Sequence, residues 1–181
     1  MGALLCCCKK KHVRLEEDAN LVRFSNVKGP GVHASNWGVS GTGTCLANAA
    51  LLQTRAYWEV TILEPGEWWI GVARKSNEAL EKQMGERPFS WGLFSGAGGG
   101  TYKAGDVLGI SYDLSGIRAL LKFSLNGVPL PAATVEDIKG DVHPAVSVGG
   151  QAVLQANFGA MPFKFTAPDG FSQIILSQDL I

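Results

Sequence analysis

The sequence predicts an all-β fold, a β-sandwich of two antiparallel sheets. Three observations carry that expectation. Short apolar runs alternate with polar residues and are punctuated by 23 glycines, the composition of many strands joined by tight turns. Asn126-Gly127 sits between two such runs, the strongest short signal for a hairpin, because both central residues of that turn need positive φ. No stretch keeps the 3.6-residue spacing of a long amphipathic helix. At 181 residues the chain is sized for one domain whose core needs no disulfide staples.

Taken in order, the charged turn Glu16-Glu17-Asp18 precedes Leu21-Val22-Arg23-Phe24, an edge strand. Residues 28–44 are rich in Gly, Ser, Asn and Thr and read as loops with short strands. The clearest strand covers 56–63, with Trp58, Val60 and Ile62 on one face and Tyr57, Glu59 and Thr61 on the other. Glu64-Pro65-Gly66-Glu67 is a turn and 68–73 a strand, so the two strands read as a hairpin. Residues 74–105 are irregular, and stretches this long are often functional. Within them Ser76 caps a short helix running through Met84, with Ala79 and Leu80 toward the body. Ser90-Trp91-Gly92-Leu93 and a glycine-rich loop over 96–100 follow. Leu108, Ile110 and Tyr112 share a face of the next strand, and Leu121, Phe123 and Leu125 alternate with Lys122 and Ser124. Segments 142–148, 152–158 and 171–176 complete about ten to twelve short strands.

The formal net charge is zero, but it is unevenly placed. Residues 1–14 hold Lys9, Lys10, Lys11 and Arg14 and no acid, leaving the remainder at −4, with 16 acids against 12 bases. An acidic body argues against nucleic-acid binding. The basic run suits anionic lipid. The apolar stretch ahead of it, residues 3–8, is too short for a membrane span or a secretory signal, and its order relative to the basic run is reversed from the latter. A lipidated tail fits better. Removal of Met1 would expose Gly2, whose amine N-myristoylation uses, although Cys6 stands where the pattern has Ser or Thr. Cys6, Cys7 and Cys8 are then sites for palmitate. One myristoyl chain binds a bilayer only marginally, so the cysteines and the basic run supply the second signal. The reading is a tail over 1–14 and a domain over 15–181, held on the cytoplasmic face of a membrane, or cytosolic if unlipidated. The absence of N-x-Ser/Thr sites and of a disulfide framework suits a reducing compartment.

Catalytic readings fail one by one. Gly41-x-Gly43 lacks the third glycine and helix of a dinucleotide fingerprint. Ser40 lacks the second glycine of a nucleophile elbow. His12, His33 and His143 are dispersed, Cys45 reads as a small core residue, and Asp106 and Asp113 flank one strand as turn residues. The expectation is no enzyme, cofactor or metal.

Tyr57-Trp58-Glu59-Val60, Ile70-Gly71-Val72-Ala73, Ser90-Trp91-Gly92, residues 105–110, Tyr112-Asp113, residues 123–127 and His143-Pro144-Ala145-Val146 occur in an order and spacing that resemble the SPRY domain, a curved β-sandwich recognition module. Residues 41–47, Pro168-Asp169-Gly170-Phe171 and the cysteine-rich start are similar to one small single-domain subfamily. The resemblance implies protein–protein recognition, often of a short peptide segment, through loops at one edge. The family's best understood members place a Trp-Gly pair in the pocket, where this chain has Gly149-Gly150, so their peptide specificity is not carried over. Candidate partner-binding positions are Trp37, Arg74, Trp91, Gly149 and Gly150, in loops 30–43, 74–100 and 149–151. Of the paired tryptophans Trp68 and Trp69, one belongs to the core and the other is partly exposed. The rival reading is a small-ligand or carbohydrate-binding sandwich.

Overall fold

A computed structural model of the chain describes residues 21–96 and 101–176. The lipidation and electrostatic positions Gly2, Cys6, Cys7, Cys8, Lys9, Lys10, Lys11 and Arg14 lie outside the described residues.

Thirteen strands are described: β1 (Phe24–Lys28), β2 (Val32–Ala34), β3 (Gly38–Gly41), β4 (Gly43–Ala47), β5 (Arg55–Glu64), β6 (Glu67–Ala73), β7 (Ser90–Phe94), β8 (Val107–Asp113), β9 (Ala119–Leu125), β10 (Val128–Pro129), β11 (Val135–Ile138), β12 (His143–Gly149) and β13 (Val153–Asn157). They form two antiparallel sheets, one of five strands in the order β1-β4-β12-β6-β7 and one of eight in the order β10-β9-β8-β5-β13-β3-β2, with β11 also on β9. Only two 3₁₀ turns, Met84–Glu86 and Pro131–Ala133, stand beside them among the described residues.

The core lies between the sheets and follows the strand alternation. Trp58, Val60 and Ile62 of β5 meet Trp68, Ile70 and Val72 of β6, joined by Leu108 and Ile110 of β8 and Val146 and Val148 of β12. Burying each side chain of this size contributes about 1.5–3 kcal/mol. The five-stranded sheet is covered on its outer face too. Residues 79–87 fold across it and bury Leu80 and Met84 against Leu46, Ala73 and Ala145. That second layer explains why every residue of β4 and β12 is buried, polar ones included. On the outer face of the other sheet, the buried Glu59 carboxylate accepts the Lys164 and Phe165 backbone N–H groups, both at 2.8 Å, and fixes the segment running over it.

Three expectations are corrected. β5 and β6 do not form a hairpin: the 64–67 turn carries the chain from one sheet to the other, and β5 pairs with β8 and β13 while β6 pairs with β12 and β7. The helix from Ser76 to Met84 does not form. Ser76 Oγ accepts the Glu78 N–H at 3.0 Å as a cap would, but Ala79 turns to φ 53°. The carbonyls a helix would use are taken by β4 instead, Leu80 by the Thr44 N–H and Lys82 by the Thr44 hydroxyl. Residues 171–176 make one bridge, Ala56 to Ser172, and no strand. The Asn126-Gly127 hairpin joins β9 to β10 with φ of 51° and 80°.

Candidate partner-binding end of the sandwich

The strand registers divide the connections between two ends. One, the Gly149 end, gathers the Gly41-Thr42-Gly43 link from β3 to β4, the 64–67 turn, the Asn126-Gly127 turn and the 149–152 crossing between sheets. Glycine at 41 and 43 is what lets that link turn, with φ of 95° and 122°. The other, the Asn48 end, gathers loops 48–54, 74–78, 114–118 and 139–142.

At the Gly149 end the local chemistry is built on Trp69. It follows the core residue Trp68 in β6, so strand alternation turns it to the outer face of the five-stranded sheet, where it is half-buried. Its ring lies 4.9 Å from Phe94 at 30°, on the edge strand β7. Its indole N–H donates to Gln83 Oε1 at 3.0 Å, and Gln83 Nε2 donates to Glu67 Oε2 at 3.3 Å. The backbone of Gly85 lies against the same indole, leaving no room for a side chain there.

Gln83 is held in place by a buried hydroxyl relay. The Thr44 hydroxyl donates to the Lys82 carbonyl at 2.7 Å, the Ser147 hydroxyl donates to Thr44 Oγ1 at 2.7 Å, and Ser147 Oγ accepts the Met84 N–H at 2.9 Å. Both hydroxyl residues are fully buried. Gly149 completes the arrangement by close approach: a Cβ there would lie 2.8 Å from Gln83 Nε2 and 3.2 Å from Glu67 Oε2. The Gln83–Glu67 pair therefore occupies the space that a larger residue at 149 would need. Gly150 is exposed, at φ 59°, in the crossing turn. Beside this end, Tyr102, Leu125, Leu130 and Ala133 line an apolar hollow of about 170 Å³.

The structure brings together only part of the sequence-derived set. Gly149, Gly150, Gly41 and Gly43 share this end. Trp37 sits in the β2–β3 turn away from it, half-buried, with its indole N–H buried and unpartnered among the described residues. It lines a second hollow of about 170 Å³ with Thr61, Gln155, Met161 and Pro162. Arg74 is at the Asn48 end, donating through Nε to the Lys139 carbonyl at 3.0 Å and lying over the Phe89 ring at 4.7 Å. Trp91 is in β7 rather than a loop, opposite Val72, packed against the core. Glu67, Gln83 and Phe94 were not singled out from sequence. The outward face of Trp69 was the available signal for the aromatic pair, whereas the return of residues 79–86 over it has none in local sequence.

The titratable groups do not converge. Burial pushes the Cys45 thiol up to about 12. His143 is held below its ordinary value, first by burial, and its Nδ1–H donates to the Ala47 carbonyl at 3.0 Å. Asp106 and Asp113 lie at opposite ends of β8. Each is held low, Asp106 chiefly by the Asn126 amide and Asp113 chiefly by the Ser115 hydroxyl. Among the described residues no group of three His, Cys, Asp or Glu is placed to hold a metal ion.

A two-sheet all-antiparallel sandwich with these motifs on its strands defines the class, and the sequence comparison agrees: the SPRY domain model matches residues 55–161. The chain belongs to the SPRY domain family. Among curated proteins it is 33% identical over 159 residues to SPRY domain-containing protein 7 of Gallus gallus and to that of Homo sapiens, covering 78% of this chain and 76% of each relative. Among solved structures, the SPRY domain of human HERC1 matches with a TM-score of 0.59 at 15% identity, covering 77% of this chain and 99% of that one. The TRIM65 PSpry domain matches at 0.57 and 17%, covering 81% and 98%. These two likenesses concern the fold alone. SPRY domains are in general protein–protein interaction modules.

Proposed function

We propose that this protein is a non-catalytic adaptor. It captures a protein segment at the Gly149 end and is held on the cytoplasmic face of a membrane by an N-terminal tail acylated at Gly2 and at Cys6, Cys7 or Cys8. The observation that carries the capture half is the Trp69–Phe94 pair on a fixed frame. Phe94 is 40% exposed, and Trp69 beneath it is pinned through Gln83 to Glu67. Aromatic side chains held in one conformation lose little entropy on binding and are typical interface anchors. Phe94 sits on β7, the edge of its sheet, with Trp69 on the neighbouring β6, so an extended segment can add main-chain hydrogen bonds there. The tethering half rests on the order Gly2, cysteine cluster, basic run in the sequence.

Proximity labelling from the full-length protein in cells tests the first half. Phe94→Ala is expected to remain folded and to lose a defined set of labelled proteins. An unchanged set would sink the assignment of this end. For the second half, Gly2→Ala is expected to release a fluorescent fusion to the cytosol, and continued retention would mean that myristate is not the anchor. A small-ligand reading is favoured by one feature, the unpartnered Trp37 indole N–H beside its hollow. A glycan and metabolite screen by thermal shift, with Trp37→Phe as the control, separates the two.

A further inference from the structure

The residues ahead of Leu21 leave the domain at a defined place. The Leu21 carbonyl accepts the Asn48 Nδ2–H at 3.1 Å, and Asn48 directly follows β4 at the Asn48 end. This is the far end of the molecule from Gly149, about 30 Å away along the length of β5. The same end carries apolar loop tips. Ile117, between Gly116 and Arg118 in the β8–β9 turn, is 101% exposed, Leu52 is 50% exposed and Leu114 is 43% exposed. The two loops adjoin, because the Leu114 N–H donates to the Thr54 carbonyl at 2.8 Å. Polar residues and glycine are the usual occupants of such turns, and a fully exposed isoleucine gains nothing from the fold.

We propose that the Asn48 end is the membrane-facing surface of the domain, with Ile117, Leu114 and Leu52 resting in the interfacial layer of a phospholipid bilayer. The proposal deepens the tethering reading above and rests on it. Two of the acids at this end are taken up locally, Asp113 by Arg55 and Asp137 by Arg118. Arg23, Arg74, Lys75 and Lys139 stand against Glu78, Glu136, Asp141 and Asp169. The domain's own charge here is close to balance, so Lys9, Lys10, Lys11 and Arg14 of the tail supply the electrostatic attraction. The loop tips add apolar contact and set orientation. Reach supports this division. Ten residues from Lys11 to Leu21 span at most about 35 Å, so an anchored tail keeps the loops near the lipid at a high effective concentration. A weak insertion by three side chains then becomes an intramolecular event. In that orientation the Trp69–Phe94 pair points away from the membrane, open to a cytosolic partner.

The test attaches the full-length chain through Cys6, Cys7 and Cys8 to vesicles of phosphatidylcholine and phosphatidylserine doped with maleimide-headgroup lipid. Buried Cys45 does not compete. Millisecond hydrogen exchange is compared with the thiol-blocked protein in solution. Amides of residues 114–118 and 50–54 are expected to slow several-fold on vesicles, while those of the 64–67 turn are unchanged. Ile117→Asp should melt as wild type does and lose the slowing. Equal exchange at 114–118 with and without vesicles, slowing that persists in Ile117→Asp, or slowing at 64–67 instead would overturn the proposal. Thiol attachment replaces cellular acylation, so this result is independent of the Gly2→Ala outcome, which tests the tethering reading alone.

Discussion

Replacing Ser147 by alanine removes both roles of one buried hydroxyl. It deletes the acceptor of the Met84 N–H and the donor to Thr44 Oγ1. Ser147 is 0% exposed, so water cannot take over either role. A buried donor left without an acceptor costs about 1–3 kcal/mol. In a domain of this size each kcal/mol lowers Tm by about 2–4 °C, so a mid-range loss of about 2 kcal/mol corresponds to about 4–8 °C. Thermal and urea melts measure the loss, and amide exchange at Met84 should accelerate with it. Thr44→Val breaks the same relay at the Lys82 carbonyl, so the double variant should cost less than the two single changes together. The variant should also weaken partner capture, because Gln83 lies between the two pinned residues. A Tm within about 1 °C of wild type, with Met84 equally protected, would refute the claim that the relay holds residues 79–87 to the sheet.

Two further outcomes concern the body of the domain. Burial holds His143 below its ordinary value, so the folded state favours the neutral ring. The unfolded chain takes up the proton first as pH falls, and stability present above about pH 6.5 is lost on acidification through that value toward the folded pKa. The shifted carboxylates Asp106, Asp113 and Asp137 act at lower pH, from the ordinary Asp range downward. Urea melts of His143→Gln should therefore lose the slope of stability that sets in below about pH 6.5, and an unchanged slope would move its origin elsewhere. Trp91→Ala should lower stability by about 2 kcal/mol, less than a fully buried tryptophan would cost, because the ring packs on the core from the edge of its sheet. A folded variant with wild-type melting that fails to label partners would return Trp91 to the role of anchor.

Much of the fold was legible because strand alternation is a local property. The inward sets on β5 and β8, the Asn126-Gly127 turn and the division of labour between Trp68 and Trp69 all follow from spacing over a few residues. The errors share one cause. Which strand pairs with which is decided across the sandwich, so a tight turn between β5 and β6 looked like a hairpin while it in fact changes sheets. The polar carbonyls of residues 79–87 looked free to make a helix, but Thr44, far away in sequence, claims them. Trp91 looked like a loop residue because residues 74–105 read as irregular, yet Gly92 and Gly71 face each other in a β-ladder. In each case a long-range hydrogen bond outweighs the local preference.

The same principle bears on Gly149. From sequence alone, Gly149-Gly150 in place of the family's Trp-Gly pair says only that the family's peptide specificity is not carried over. In the structure the space is occupied: Gln83 comes from the strap across the outer face, reaches Glu67, and holds the Trp69 indole by its N–H. The change at 149 and the course of the strap are thus one arrangement, since a Cβ at 149 would press on Gln83 Nε2. What the site presents is an aromatic edge at Phe94 beside an exposed glutamate rather than a tryptophan-walled cleft. Under the proposed function, contact runs along an edge strand, which suits an extended segment better than a single inserted side chain. On that same proposal, partner capture depends on residues held in the scaffold's own hydrogen-bond network, so capture and stability of residues 79–87 are expected to rise and fall together.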